Sequence, residues 1–174
     1  MDERDLAQRA KQGDREAFGG LVMLHQAGVY NVAFRMLAEC REAEDAAQEA
    51  FLRAYRSIQT LDPQCPPGPW LKKITVNVCL NWLERRGTLA YVDETAIPGH
   101  DPGPEVQVIE QELDCQVRSA LLSLPPRYRA AIELRHFQEL SYAEMAETLN
   151  LPLSDIKSDL FRARKLLAEI MRKI

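Results

Sequence analysis

Apolar residues recur along most of the chain with the period of a helix. From Ala17 to Leu37 they fall at Phe18, Leu21, Val22, Val29, Val32, Ala33, Met36 and Leu37, which marks one buried helical face. Before this stretch, Asp2 to Gln12 reads as a helix stopped by Gly13, and Asp14 is placed to cap the next one. Glu42 to Gln59 reads as a third helix, with Ala43, Ala47, Ala50, Phe51 and Ala54 on its inner side. Its acidic start and basic end (Arg53, Arg56) suit the helix dipole. Leu61 to Pro69 holds four prolines and a glycine and predicts a loop. Trp70 to Arg86 predicts a fourth helix, with Trp82 in the core.

Near the end, two helices are joined by a tight turn. Ser141 followed by Glu144 has the spacing of a capping box. Asn150 can take the left-handed conformation that ends a helix, Pro152 blocks continuation, and Ser154 can cap the second helix. In that second helix Ile156, Leu160, Ala163, Leu167 and Ile170 form one inward stripe. At roughly 100° per residue the opposite face carries Ser154, Lys157, Ser158, Phe161, Arg162 and Lys165. An aromatic ring among cations and hydroxyls on a wet face suits a helix laid in the DNA major groove. Cations meet phosphate and guanine there, and an apolar group meets the thymine methyl. A solvated basic face, with Phe161 packed on another domain, is the plainer reading of the pair by itself.

No period-two strand longer than four residues appears, so the expected fold is all-α, in two small helical domains. The segment 87–112 holds three prolines, three glycines and no basic residue. It reads as a flexible acidic linker between domains at 1–86 and 113–174.

Charge refines this picture. The chain of 174 residues has a net charge of −4, but the linker alone carries six acidic side chains. Residues 1–86 balance, with 12 basic and 12 acidic groups, and 113–174 carry 10 and 8. A free-standing DNA binder is usually more basic, because phosphate neutralisation supplies most non-specific affinity. Any grip on DNA is therefore expected to be shared with a partner.

Candidate chemistry is sparse. The four cysteines form no CxxC pair and the three histidines stand apart, so no metal is expected. No phosphate-cradling glycine loop, GxSxG or HExxH occurs. Neither a catalytic centre nor a cofactor is expected. The polar start MDERDLAQRAKQGD shows no secretory signal, and no run of apolar residues is long enough to span a bilayer. A cytoplasmic protein is expected.

Two blocks of sequence resemble a known family. Residues 124–167, LPPRYRAAIELRHFQELSYAEMAETLNLPLSDIKSDLFRARKLL, resemble region 4 of bacterial sigma factors. Residues 44–86, EDAAQEAFLRAYRSIQTLDPQCPPGPWLKKITVNVCLNWLERR, resemble region 2. The opening segment with KQGDREAF is similar to the start of region 2 in the extracytoplasmic-function (ECF, group 4) class. Two regions in this order, joined by a short linker, are that class's layout.

The resemblance implies an alternative sigma factor, not an enzyme: a subunit that binds core RNA polymerase and directs promoter-specific initiation. Region 4 would read the −35 element of promoter DNA through Ser154, Lys157, Ser158, Phe161, Arg162 and Lys165, and would sit on the polymerase flap. Region 2 would bind the clamp through Asp45, Gln48, Glu49, Leu52 and Arg53. It would open the −10 element through Lys73, Asn77, Asn81 and Arg85, which follow one another at i+4 steps. Asn77 matches the position that contacts a flipped −10 base. Lys72, Arg85 and Arg86 are weaker candidates, and Trp70 reads as mainly structural. An anti-sigma factor is expected as a further partner.

The chain departs from the family pattern at four places. Pro67 stands where an aromatic usually precedes Trp70-Leu71, which implies unusual −10 specificity. Asp159 replaces the usual arginine. On a helical wheel it lies toward the flank of the recognition helix, so weakened phosphate contact is expected. Asn150 replaces a turn glycine, and Ala46-Ala47 replace a bulkier Leu-Val pair. The competing reading is an autonomous helix-turn-helix regulator that needs no polymerase. A helical adaptor that binds only proteins is a third.

Overall fold

The computed structural model describes residues 2–89 and 115–173, and every regular element among them is helical. The first block comprises α1 (Glu3–Lys11), α2 (Arg15–Leu37), α3 (Cys40–Arg56) and α4 (Pro67–Leu89). The second comprises α5 (Cys115–Leu122), α6 (Pro126–Ile132), α7 (Tyr142–Leu149) and α8 (Leu153–Arg172). Most of the linker expected at 87–112 lies outside the described residues; its first three residues belong to α4.

Local chemistry sets most boundaries. Asp2 and Asp14 cap α1 and α2 by accepting from the backbone N–H groups of Arg4 and Ala17. Asp14 also takes the Arg9 guanidinium at 2.7 Å, which fixes the corner between these helices. Gly13 turns there at φ +95°, a region that side-chain-bearing residues rarely adopt. Ser141 accepts from the N–H of Glu144 at 3.1 Å, as the capping-box spacing implies. Asn150 ends α7 in the left-handed conformation at φ 53°.

Two sequence expectations need correction. The segment 61–69 is a loop only as far as Pro66, because α4 begins at Pro67 and carries Gly68 and Pro69 in its first turn. A proline costs a helix nothing in that turn, where the N–H has no intrahelical acceptor. The helix α8 begins at Leu153 after Pro152, with no side-chain cap, so Ser154 lies inside its first turn and is not its cap.

The core of the first block is α2 against α3 and α4, built on Leu21, Val29, Phe34, Met36, Ala43, Ala50, Leu71 and Val76. In the second block Ile132, Leu134, Met145, Ile156, Leu160 and Ala163 play that part. The two cores are in contact: α2 and α4 of the first block pack against α6 and α7 of the second, and one continuous hydrophobic cluster runs through both.

Candidate nucleic-acid interface

Burial of Ile156, Leu160 and Ala163 fixes the rotation of α8, and Ser154, Lys157, Ser158, Phe161, Arg162 and Lys165 are all exposed. The Phe161 ring is 68% exposed and packs in neither block. One helical face thus gathers three cations, two hydroxyls and an apolar ring in water. This is the donor and methyl-contact set that major-groove readout uses.

Asp159 is not on this face. It is 5% exposed and accepts from Nε of Arg127 at 2.5 Å, while the same guanidinium reaches Asp155 at 3.5 Å. The expected flank position is therefore wrong. A wheel drawn for α8 alone could not reveal it, because the partner comes from α6, 32 residues earlier.

The candidate −10 residues project from α4. Asn81 and Arg85 are exposed, and Lys73 and Asn77 are half-buried. Asn77 is already engaged: its Nδ2 donates to the Thr148 carbonyl of α7 at 2.9 Å. The start of α4 is held from below. The Gly68 N–H donates to Glu3 at 3.3 Å, and His25 Nε2 meets the same carboxylate at 2.9 Å. A Cβ on Gly68 would stand 3.0 Å from the His25 ring, so that close approach favours glycine. Lys11 donates to the Leu61 carbonyl at 2.7 Å, and Asp62 closes a turn over Gln64 and Cys65. The exposed loop tip at 62–66 is thereby presented on a braced base.

On α3, Asp45, Gln48 and Leu52 are exposed. Glu49 and Arg53 are half-buried and paired with each other at 2.5 Å. Trp82 donates its indole N–H to the second oxygen of Glu49 at 2.7 Å, tying α3 to α4 and giving this partly buried tryptophan its polar partner. Arg86 pairs with Glu42 across the same two helices.

Two adjoining hollows of about 510 and 630 Å³ lie between α2 and α3 and share Val22, Gln48 and Phe51. Leu52 and Tyr55 line one end and Tyr30 the other. Sequence reasoning named only the α3 side of this groove. The α2 side was legible in principle, because Val22 belongs to the buried-face pattern of α2 and yet stays half-exposed.

Comparison with known proteins bears on the whole arrangement. Residues 21–88 match the family model for Sigma-70 region 2, and residues 116–167 match that for Sigma-70 region 4. The chain is 32% identical over 177 residues to the ECF RNA polymerase sigma factor SigW of Bacillus subtilis, covering 95% of each protein. The chain belongs to the ECF sigma factors. The ECF RNA polymerase sigma-E factor of Escherichia coli is 31% identical, over 95% of this chain and 92% of its own. The fold is also that of the sigma factor RpoE solved in complex with the anti-sigma factor NepR from Bartonella quintana. That structure aligns with a TM-score of 0.65 over 89% of this chain and 96% of its own, at 23% identity. In this ECF sigma factor α7 and all but the last five residues of α8 fall within the region 4 match, and α3 and all but the last residue of α4 fall within the region 2 match.

Proposed function

We propose that this ECF sigma factor binds core RNA polymerase in the cytoplasm and directs initiation by reading two promoter elements with two separate helical modules. The first module is assigned to 1–86 and the second to 113–174. The carrying observation is the outward face of α8, where Phe161 stands in water between Lys157 and Arg162 while the opposite face is packed. That face is assigned to the −35 element.

The clamp contact is assigned to Asp45, Gln48, Leu52, Glu49 and Arg53 and extends along the groove to α2. Gln48 and Leu52 line the groove, and Leu52 keeps 57% of its surface exposed at its mouth. An apolar groove rimmed by polar groups suits a helical partner. Strand opening is assigned to Lys73, Asn77, Asn81, Arg85 and the 62–66 tip. Extracting a base from the stack costs a few kcal/mol. Amide hydrogen bonds to its edge and stacking in a pocket beside the loop offset that cost. No covalent step is involved. Control by an anti-sigma factor is proposed from the likeness to a sigma factor solved with one.

The test is run-off transcription on promoters selected from a genomic library with core polymerase plus this chain. Initiation should depend on the chain. Phe161→Ala and the pair K157E/R162E should remove promoter output while leaving helix content and polymerase binding intact. No initiation at any promoter would overturn the reading. A tight complex with duplex DNA in the absence of polymerase would favour an autonomous regulator instead.

A further inference from the structure

The helix α1 precedes the region 2 match, which begins at residue 21, yet its two ends hold both ends of the loop assigned to strand opening. Where the loop begins, Lys11 donates from Nζ to the Leu61 carbonyl at 2.7 Å. The Lys11 carbonyl in turn accepts from Nε2 of Gln59 at 2.7 Å. Leu61 is itself buried, so this anchor is packed as well as hydrogen-bonded. Where the loop ends, Glu3 accepts from the Gly68 N–H at 3.3 Å. Glu3 and Lys11 are the first and last residues of α1, which sets them about 12 Å apart along its axis.

The second anchor answers a need that the sequence creates. The first N–H groups of a helix have no intrahelical acceptor. In Pro66-Pro67-Gly68-Pro69 only the glycine carries an N–H, and Pro66, which precedes α4, has no side-chain oxygen with which to cap it. A carboxylate from another helix takes the Gly68 N–H instead, and negative charge is what a helix N-terminus favours. His25 Nε2, 2.9 Å from the same oxygen, holds that carboxylate in place.

Between the anchors the chain has little freedom. Pro63 and Pro66 fix their own φ angles. Asp62 accepts from the Gln64 N–H through its side chain and from the Cys65 N–H through its carbonyl. Yet every residue from 62 to 66 is exposed. A stiff, exposed loop takes its position from its two ends and not from packing along its length.

We propose that Glu3 and Lys11 are positioning residues for −10 recognition: α1 is a spacer of fixed length that holds the 61–68 loop where it can receive an extruded base beside α4. This rests on the assignment of α4 and the 62–66 tip to the −10 strand. Neither side chain is assigned a contact with DNA. A binding constellation has to be held to within about 0.5 Å of its productive geometry. A loop released at one end is in that geometry for only a fraction of the time, and apparent affinity falls by that fraction.

The test uses holoenzyme assembled from core polymerase and the full chain. Its probe is a single-stranded oligonucleotide carrying the −10 sequence of a promoter that the original protein initiates from, with each base replaced in turn. Glu3→Ala and Lys11→Met should each weaken binding about three- to tenfold and narrow the preference among bases. Glu3→Gln keeps an acceptor for Gly68 and Lys11→Arg keeps a donor for Leu61, so both should stay within about twofold of the original. Affinity for core polymerase and for −35 duplex should not change. The slope of log affinity against log salt should also hold, whereas a lysine on phosphate would take about one unit from it. In the free chain, E3A should speed hydrogen exchange at the Gly68 amide. If E3A fails to fold, K11M and K11R carry the comparison.

Folded E3A and K11M proteins with unchanged −10 affinity overturn the proposal. So does a salt slope reduced by about one in K11M, which makes Lys11 a phosphate contact. An equal loss of affinity for core polymerase overturns it too, because α1 is then a general support of the first block. An original holoenzyme that binds no −10 strand sinks the role assigned to the loop. One that binds it, beside unaffected variants, sinks the positioning role of α1 alone.

Discussion

Arg127 on α6 closes over the buried carboxylate of Asp159 on α8 at 2.5 Å, so α8 is pinned to its neighbour by an ion pair on the side away from its exposed Phe161 face. A hydrogen bond to a charged group contributes about 1.5–3 kcal/mol when one partner is buried. Asp159→Ala should therefore destabilise the second block by about 1–3 kcal/mol, read as a lower denaturant midpoint with unchanged slope. Asp159→Arg should cost more, because it sets two guanidiniums against each other. Below the melting transition, the Ala variant should retain promoter binding. A stable D159A protein that has lost only promoter affinity would instead place this carboxylate in DNA contact.

That pair shows where sequence reading stops. The cap at Ser141, the left-handed Asn150 and the stripe of Ile156, Leu160 and Ala163 were legible because each depends on residues within a few positions. The exposure of Phe161 follows from the same stripe. Asp159 was misplaced because its partner lies on another helix, and the ion pair of Arg35 with Glu133 was invisible because 98 positions separate the two residues. The start of α4 was missed for a different reason. Proline was read as a helix breaker throughout 61–69, whereas at Pro67 and Pro69 it falls in the one turn where its missing N–H is harmless. The groove beside α3 was half-read, since a hollow between two helices is a property of their packing and not of either pattern.

Ala38 ends α2 in the left-handed conformation, at φ 64° and ψ 10°. That conformation costs an alanine about 1–2 kcal/mol and costs glycine almost nothing. Glycine gives back part of the gain through its greater freedom in the unfolded chain. Ala38→Gly should therefore stabilise the protein by about 0.5–1 kcal/mol, raising the melting temperature by a few degrees. A lower melting temperature would mean that the Ala38 methyl makes packing contacts worth more than the backbone strain.

His136 has its pKa lowered below the ordinary 6.5, first by burial and then by the nearby Arg164 and Arg135 guanidiniums. Arg164 also donates to its Nε2 at 3.3 Å, a contact that requires that nitrogen to be unprotonated. A histidine held below its unfolded value binds fewer protons when folded. Its contribution is therefore fully present above pH 6.5 and is lost as pH falls through the lower folded value. Denaturation midpoints should fall between pH 7 and pH 5 in the original protein. His136→Gln, which cannot gain a proton, should flatten that slope. A slope unchanged by the substitution would assign the pH dependence to other groups.

Cysteine reactivity reports on the packing of α4. Cys65 is exposed at the loop tip, whereas Cys79 lies on the buried face of α4. Burial first, and then the negative charges of Glu133 and Glu49, push the Cys79 thiol from 9.0 up to about 12. Since the thiolate is the reactive form, that shift alone slows alkylation at neutral pH by about a thousandfold. Site-resolved mass spectrometry after iodoacetamide treatment should show exposed Cys65 modified readily and Cys79 protected until the helix is exposed. Equal rates at the two thiols in the original protein would mean that α4 is not packed as described, and would remove the scaffold on which Asn77 is held.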